Sequence, residues 1–507
     1  MGGDATRQAR LVLALMLLAA VVRLVHLGLP PLWTDEAFSL WMARHSVPDI
    51  WRWTARLDAH PPLYYMLLHF WLALGDRVGT LRAFSTIAEM LTIPAAYLLG
   101  RALGGASLGL LTALLLALSP FNVWYGQEAR MYPLLMLAAT VALLGLVLVL
   151  RERPPRGAWG LYVVGMAAAV WTEHSAALLL ATANVIVILL RGRPGVTSTF
   201  IRRWTVAQGL VVLAWSPILL MLAGQLRAGT AGPTSLSVWG ATASLLPDAF
   251  SPLFGARPEP STGARLGAAA LALAVTVPLI VRGLLDSSTD RRWIRCVLIV
   301  WMLPIGCAVV LGLAGFPLLT PATLTAGYRT LIWTSLVPCL LTARGLLTLR
   351  RSGTRYAAVA LVLLSCLAGL IVYYRTMPKW EAWDRAAAYV ATSVASDDVI
   401  LFHDNLVQLP FDYYFHRWGL TIPEHGVPRD FPDGGLREPR ATPADTSRLR
   451  GMAGAYRRVW LVYSHEWWTD PRHLVPQALA AAGRVVDQRT FPGLPTIRIY
   501  LFQEQPR

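Results

Sequence analysis

Five short segments of this 507-residue chain carry residue types that could do chemistry. Asp35 and Glu36 follow the first long apolar run. His60 opens His60-Pro61-Pro62-Leu63-Tyr64-Tyr65. Gln127-Glu128-Ala129-Arg130-Met131-Tyr132 separates two further runs, Glu173-His174 sits in a tight turn, and Gly327-Tyr328-Arg329 precedes another run. A carboxylate can accept a proton from an attacking hydroxyl. Arginine forks match phosphate oxygens. Each segment also has a plain structural reading. Thr34-Asp35-Glu36 reads equally as a helix cap with two acids in the first turn. His60 reads as a loop residue, Glu128 and Arg130 as a surface ion pair worth under ~1 kcal/mol, and Glu173-His174 as caps of adjoining helices. Arg329, and likewise Arg23 and His26, read as interfacial anchors. Glu89 is harder to dismiss: it stands mid-run, where a lone acid costs roughly 3 kcal/mol or much more. It must be protonated, paired or facing water.

The elements that must position these residues are membrane helices. The chain is 55% hydrophobic and 15% charged, with mean hydropathy +0.49. A soluble globular protein carries roughly 25% charged residues. Eleven apolar runs read as spans: 11–29, 82–100, 105–121, 133–150, 158–173, 174–190, 204–223, 266–281, 296–314, 330–347 and 357–374. Arg7 and Arg10 precede the first, but no small-residue cleavage site follows it, so it reads as an anchor rather than a signal peptide. Cys296, Cys307, Cys339 and Cys366 all fall inside apolar runs, which argues against a metal cluster or a disulfide framework.

The net charge of +16 invites a nucleic-acid reading. Its distribution excludes one, because the arginines sit mostly in short loops between spans. The loops on one side hold 18 arginines against Asp4, Glu152, Asp286 and Asp290. The positive-inside rule places those loops and the amino terminus in the cytoplasm. The expected localisation is thus the cytoplasmic (inner) membrane, multi-pass. All five chemistry-bearing segments then fall on the outer face, where polar groups at membrane depth must meet a cavity or each other.

Two domains are expected: 1–375, a membrane domain, and 376–507, an extracytoplasmic α/β domain. Within the first, residues 31–81 are too polar and proline-broken to span. They read as short interfacial helices anchored by Trp33, Trp41, Trp51, Trp53 and Trp71. The outer loop at about 224–265 is rich in Gly, Pro, Ser and Thr. In the tail, Trp380–Ala395 reads as a helix, and Val399–Phe402, Val459–Tyr463, Arg484–Val486 and Ile497–Phe502 as strands. Phe402-His403-Asp404-Asn405 and Ser464-His465-Glu466-Trp467 end strands and read as turns or as groups facing the membrane cavity.

Leu32-Trp33-Thr34-Asp35-Glu36-Ala37, His60-Pro61-Pro62-Leu63-Tyr64-Tyr65, Arg82 opening a span, and Ser119-Pro120-Phe121 running into Tyr125–Tyr132 together resemble the bacterial glycosyltransferase family 39. That family comprises protein O-mannosyltransferase-like and aminoarabinose transferase-like enzymes of the C-type glycosyltransferase fold. The resemblance is strongest over 20–135 and continues through Glu173-His174 and Tyr328-Arg329 to 380–398. It implies a polytopic α-helical fold of about 11 transmembrane helices with a small C-terminal α/β domain. It also implies a mannosyltransferase-like hexosyl or pentosyl transferase of the cell envelope that takes its sugar from a polyprenyl phosphate. Asp35-Glu36 matches the family's acidic motif, and Asp35 its catalytic position. The chain departs from the aminoarabinose transferases in having His60 where a lysine precedes the double proline, and Glu89 stands where a small residue is expected.

The chemistry suits these residues. Nucleotide sugars are not supplied outside the cytoplasm, so an activated sugar must arrive on a lipid. Its phosphate leaves as a stable anion and needs no protonation, so one base suffices where most glycoside hydrolases use two carboxylates. Asp35 is then the general base, with Glu36 beside it. Arg130 and Arg329 hold the departing phosphate, assisted by His60. Tyr64, Tyr65, Glu128, Tyr132, Glu173 and His174 bind substrate. A divalent metal near Asp35 and Glu36 is compatible with the spacing but not demanded by it. Partners are the polyprenyl-phosphate-linked donor, membrane lipid, and an acceptor glycan, lipid or protein. The alternative is a secondary transporter or lipid flippase, against which stand the one-sided clustering and the large outer domain.

Overall fold

The computed structural model describes residues 2–58, 60–192, 195–228, 263–286, 291–313, 328–376, 381–432, 440–493 and 495–504. The expected outer loop at 224–265 lies almost entirely outside them. The chain divides into two compact units. The first comprises residues 1–27, 60–67 and 80–376; the second comprises 28–59, 68–79 and 377–507. Residues 28–59 and 68–79, expected as an interfacial part of the membrane domain, thus cluster with the carboxyl-terminal tail.

The first unit is helical. Each of the eleven apolar runs coincides with a helix: Gly2–Leu24, Val78–Gly104, Ala106–Leu118, Tyr132–Val149, Ala158–Thr172, Ala176–Leu189, Ser198–Ala228, Gly263–Leu285, Arg291–Leu313, Leu336–Leu347 and Ser352–Thr376. Among the described residues, seven helices are long and apolar enough to cross a membrane. Ala106–Leu118 makes an eighth if it is joined to Pro120–Gly126, from which it bends by 61°. Ser119 and Pro120 produce that break. The Ser119 hydroxyl accepts the Asn122 N–H at 3.3 Å, capping the second piece, and proline occupies its first position. Ala158–Thr172 and Ala176–Leu189 are apolar but shorter. Of the about eleven expected crossings, seven or eight meet this length and composition among the described residues.

Small residues set the helix packing, as expected where no water drives association. A Cβ on Gly145 would lie 2.4 Å from the Tyr162 nitrogen, and one on Gly345 would lie 2.1 Å from the Leu279 carbonyl oxygen. These glycines let Tyr132–Val149 meet Ala158–Thr172, and Leu336–Leu347 meet Gly263–Leu285, at backbone contact.

The second unit contains the expected short helices Thr34–Ala43 and Val47–Leu57 and a five-stranded sheet. The strands are β1 (Val399–His403), β2 (Glu424–Gly426), β3 (Arg458–Tyr463), β4 (Gly483–Phe491) and β5 (Ile497–Glu504), in the order β2-β1-β3-β5-β4. β1 runs parallel to β2 and β3, while β5 is antiparallel to β3 and β4. Helices cover both faces. One face packs Ile400, Phe402, Trp460 and Ile499 against Trp383, Ala387 and Phe411; the other packs Leu401 and Leu461 against Leu449, Val475 and Leu479. Burial on both faces explains why β1 is an unbroken apolar run ending in a buried histidine. The helix expected over Trp380–Ala395 is shorter, Trp383–Ala391.

Candidate functional site

Unit one gathers most of the predicted residues. The segment His60–Tyr65, the Val78–Gly104 helix, the turn at 127–132, the turn at 173–175 and the start of the 3-10 turn Tyr328–Ser335 supply them. His60 Nδ1 lies 2.7 Å from Glu173 Oε2, and both side chains are largely buried. The His60 ring meets Tyr132 edge-on at 6.3 Å. The Arg329 guanidinium sits 5.2 Å from the centre of the same Tyr132 ring. Arg130 Nη1 reaches the Tyr65 hydroxyl at 3.5 Å, and Tyr64 and Ser85 share a hydrogen bond of 2.9 Å. Ser85 donates in turn to the Arg130 carbonyl at 3.0 Å, fixing the turn that carries the guanidinium. Glu128 accepts the Trp124 indole N–H at 2.6 Å. Tyr64, Tyr65 and Tyr132 are fully buried, and Glu128, Arg130 and Glu173 nearly so.

These contacts exclude several of the plain readings. Glu128 and Arg130 are not at the surface; both are buried. Glu173 binds an imidazole 113 residues away rather than only ending a helix. Ser175, next in the same turn, donates to the Thr330 carbonyl at 2.5 Å, tying the 173–175 turn to the segment carrying Arg329. His174 is half-buried beside this pair. The arrangement joins an imidazole, a carboxylate, two guanidiniums and three phenols in one region, a set suited to holding an anionic, hydroxyl-rich ligand.

Sequence reasoning left Glu89 unexplained and took Arg23 for an interfacial anchor. Both are wholly buried, and they pair with each other at 3.4 Å. Arg23 also donates to the Ala117 carbonyl at 2.7 Å. That oxygen stands at the end of the Ala106–Leu118 helix, where the following break leaves carbonyls without helical partners. The pair answers the question posed by an acid in mid-span: Glu89 is matched by a cation, and the cation also caps a broken helix.

Asp35 and Glu36 belong to the second unit. They lie in the first turn of Thr34–Ala43. Glu36 is fully buried, and its carboxylate accepts the Trp33 N–H at 3.5 Å, the reciprocal half of a capping box. Asp35, next to it, is half-buried. The helix start is pinned from within the same unit. The Glu381 carboxylate, itself buried, accepts the Thr34 N–H at 2.9 Å, the Thr34 hydroxyl at 2.7 Å and the Trp383 indole at 2.6 Å. Burial pushes the Glu381 carboxyl above its ordinary range. Nothing in the sequence marked Glu381, which is separated from Thr34 by 347 residues. His403, expected to end β1 as a turn or cavity group, is buried. Its Nδ1 meets the Val427 carbonyl at 2.9 Å and its Nε2 the Thr469 hydroxyl at 3.0 Å. Among the described residues, the His and carboxylate side chains close enough together to hold a metal are Asp412, His416 and Glu424, also in the second unit.

Residues 59–220 match the family described as dolichyl-phosphate-mannose-protein mannosyltransferase. No curated protein matches the chain by sequence. Among solved structures, the archaeal oligosaccharyltransferase AglB from Archaeoglobus fulgidus, in complex with an inhibitory peptide and a dolichol-phosphate, aligns over 93% of this chain and 72% of its own. The TM-score is 0.54 at 13% identity. The arabinofuranosyltransferase AftD from Mycobacteria aligns over 97% of this chain and 40% of its own, with TM-score 0.50 and 16% identity. ArnT from Cupriavidus metallidurans in the apo state aligns over 98% of both chains, with TM-score 0.49 and 14% identity. The chain is thus a multi-pass membrane protein of the C-type glycosyltransferase fold. The family resemblance read from the motifs is matched by sequence over residues 59–220, and the likeness to AglB shows the fold. The matched stretch contains His60 and the 127–132 turn; Asp35 and Glu36 lie before it.

Proposed function

We propose that this protein transfers a sugar from a polyprenyl-phosphate donor to an acceptor hydroxyl on the outer face of the cytoplasmic membrane. The amino terminus is cytoplasmic and the 376–507 domain extracytoplasmic in this reading. The observation that carries it is the buried polar region of unit one, where Arg329 and His60 meet on Tyr132 and His60 is held by Glu173. So many polar side chains at membrane depth call for an anionic ligand that arrives through lipid. The AglB structure with its dolichol-phosphate supports the donor class by likeness of fold.

In this mechanism Arg130 and Arg329 hold the donor phosphate. Their charge counts most as negative charge grows on the leaving oxygen. His60, oriented by Glu173, donates to the same oxygens. Asp35 takes the proton of the attacking hydroxyl, a contribution of about 10²- to 10⁴-fold in rate. Glu36, occupied with the Trp33 N–H, holds the helix turn that presents Asp35. Tyr64, Tyr65, Tyr132 and Glu128 shape the region for sugar and prenyl chain, with His174 at its edge. A single displacement inverts the anomeric centre.

The test is turnover of purified full-length protein in liposomes containing polyprenyl-phosphate-linked sugars. Release of free polyprenyl phosphate together with a glycosylated acceptor is the expected outcome. Movement of intact lipid or solute across the bilayer, with no bond broken in any donor, would replace the transferase with a transporter.

A further inference from the structure

The second unit carries a feature that the proposed transfer does not use. Asp412 and His416 are four residues apart, Asp412 on the helix Gln408–Phe415 and His416 opening the 3-10 turn that continues it. Side chains at that spacing share one helix face. Gly419, in the left-handed conformation at φ +69°, then turns the chain back. The chain returns as β2, whose first residue, Glu424, comes up beside the same face. One nitrogen and two carboxylates therefore converge from two elements, with their ligand atoms all within 4.8 Å of one another.

We propose that Asp412, His416 and Glu424 form a binding site for a borderline divalent cation of the Zn²⁺ class. Three observations carry this. First, His416 Nε2 and Glu424 Oε1 are 3.4 Å apart. A tetrahedral ion with bonds of about 2.0–2.1 Å separates its ligand atoms by about 3.3–3.4 Å. Second, among the described residues Asp412 Oδ1 is a buried oxygen that accepts no hydrogen bond, and Glu424 Oε1 has only the ion-pair contact with His416. Leaving an acceptor dry and unpaired is costly, and a cation satisfies both at once. Third, the other Glu424 oxygen is already held, accepting the Gln408 amide at 3.1 Å. This outer contact orients the carboxylate so that Oε1 is the ligand atom.

The donor set selects the ion. An imidazole nitrogen with two carboxylates suits Zn²⁺ and its transition-metal neighbours, whereas Ca²⁺ and Mg²⁺ want oxygen alone. Three protein ligands leave a fourth position open. Asp412 and His416 also line a polar cavity of about 360 Å³, shared with Arg44, Asp76, Tyr413 and Arg417. His416 is 57% exposed, so the ion has an entry path. None of the three ligands is among the residues assigned to sugar transfer.

The test uses full-length protein in detergent, stripped with chelator and titrated with Zn²⁺ and Co²⁺, with no sugar donor present. One ion per chain is expected, with the visible absorption of four- or five-coordinate Co²⁺ and a raised melting temperature at saturation. His416→Ala and Glu424→Gln should each weaken binding by at least about tenfold, whereas His425→Ala, the neighbour on β2, should bind as wild type. Equal stoichiometry and affinity in the triple variant Asp412→Asn/His416→Ala/Glu424→Gln would overturn the site. So would displacement of Co²⁺ by equimolar Ca²⁺. Because the readout is binding, loss of the transferase reading would leave this result intact.

Discussion

The Arg23–Glu89 pair is where a single residue has the largest energetic leverage. Both side chains have no exposed surface and both sit within apolar helices. Removing one partner leaves an uncompensated buried charge, costing about 3–5 kcal/mol, whereas replacing both with apolar residues of similar size restores much of the loss. Glu89→Ala should therefore lower the melting temperature sharply, and Arg23→Met/Glu89→Met should recover most of it. Equal melting temperatures for wild type and Glu89→Ala would show that the pair is not what holds this region. At the same scale, Arg329 acts on donor affinity in the proposed reaction. Arg329→Ala should weaken donor binding at least tenfold, while Arg329→Lys should restore only part, since lysine lacks the planar fork that lies over Tyr132. Isothermal titration with a polyprenyl phosphate measures this, and unchanged affinity in Arg329→Ala and Arg130→Ala would remove both from the phosphate role. The pairing of Glu89 could not be read from sequence. The need for a partner was legible from the acid's mid-span position, but which of many arginines met it depended on contacts 66 residues apart in the chain.

Among the elements, the helices were legible because apolar runs of bilayer length have few other uses. Their ends and breaks were less so. The first span stops at Leu24 rather than 29, and the third breaks at Ser119-Pro120. β1, β3 and β5 were legible as β-branched and aromatic runs and β4 only over Arg484–Val486, while β2 is only Glu-His-Gly and has no apolar signature. Missing β2 also hid the Asp412–His416–Glu424 group, whose third member it carries. Packing through Gly145 makes a sharp prediction for an element. Leucine there must displace the Tyr162 backbone, so Gly145→Leu should separate the two helices and reduce the yield of folded protein. Gly160→Leu, where an added Cβ meets nothing, should not. Comparable yields by size-exclusion chromatography would contradict the packing account.

At the scale of the whole molecule, the stability of the second unit should depend on pH, because it carries buried carboxyls with opposed environments. Burial pushes the Asp398 carboxyl up, but the Arg458 fork at 2.6 and 2.8 Å, the Ala395 N–H and the Trp460 indole outweigh it and hold it below the usual carboxylate range. A group depressed in the fold adds stability above its unfolded value, and that stability is lost as pH falls through the folded value. Glu381, raised by burial, works the other way. Its contribution is present below the ordinary carboxylate range and is lost as pH rises through its folded value. Hydrogen exchange of β1 and β3, corrected for intrinsic rates, should lose protection below about pH 4 in wild type and not in Asp398→Asn. The stability advantage of wild type over Glu381→Gln should shrink as pH rises from acid toward neutral. The membership of residues 28–59 in this unit was not legible, since their tryptophan-rich helices read equally well as a membrane interface.

The account turns on Asp35, and the most direct measurement is sugar transfer by Asp35→Asn. The purified variant, folded as judged by an unchanged melting temperature and still binding polyprenyl phosphate, should release free polyprenyl phosphate from a sugar-linked donor at least 10²-fold more slowly than wild type. Release at the wild-type rate would contradict the proposed base.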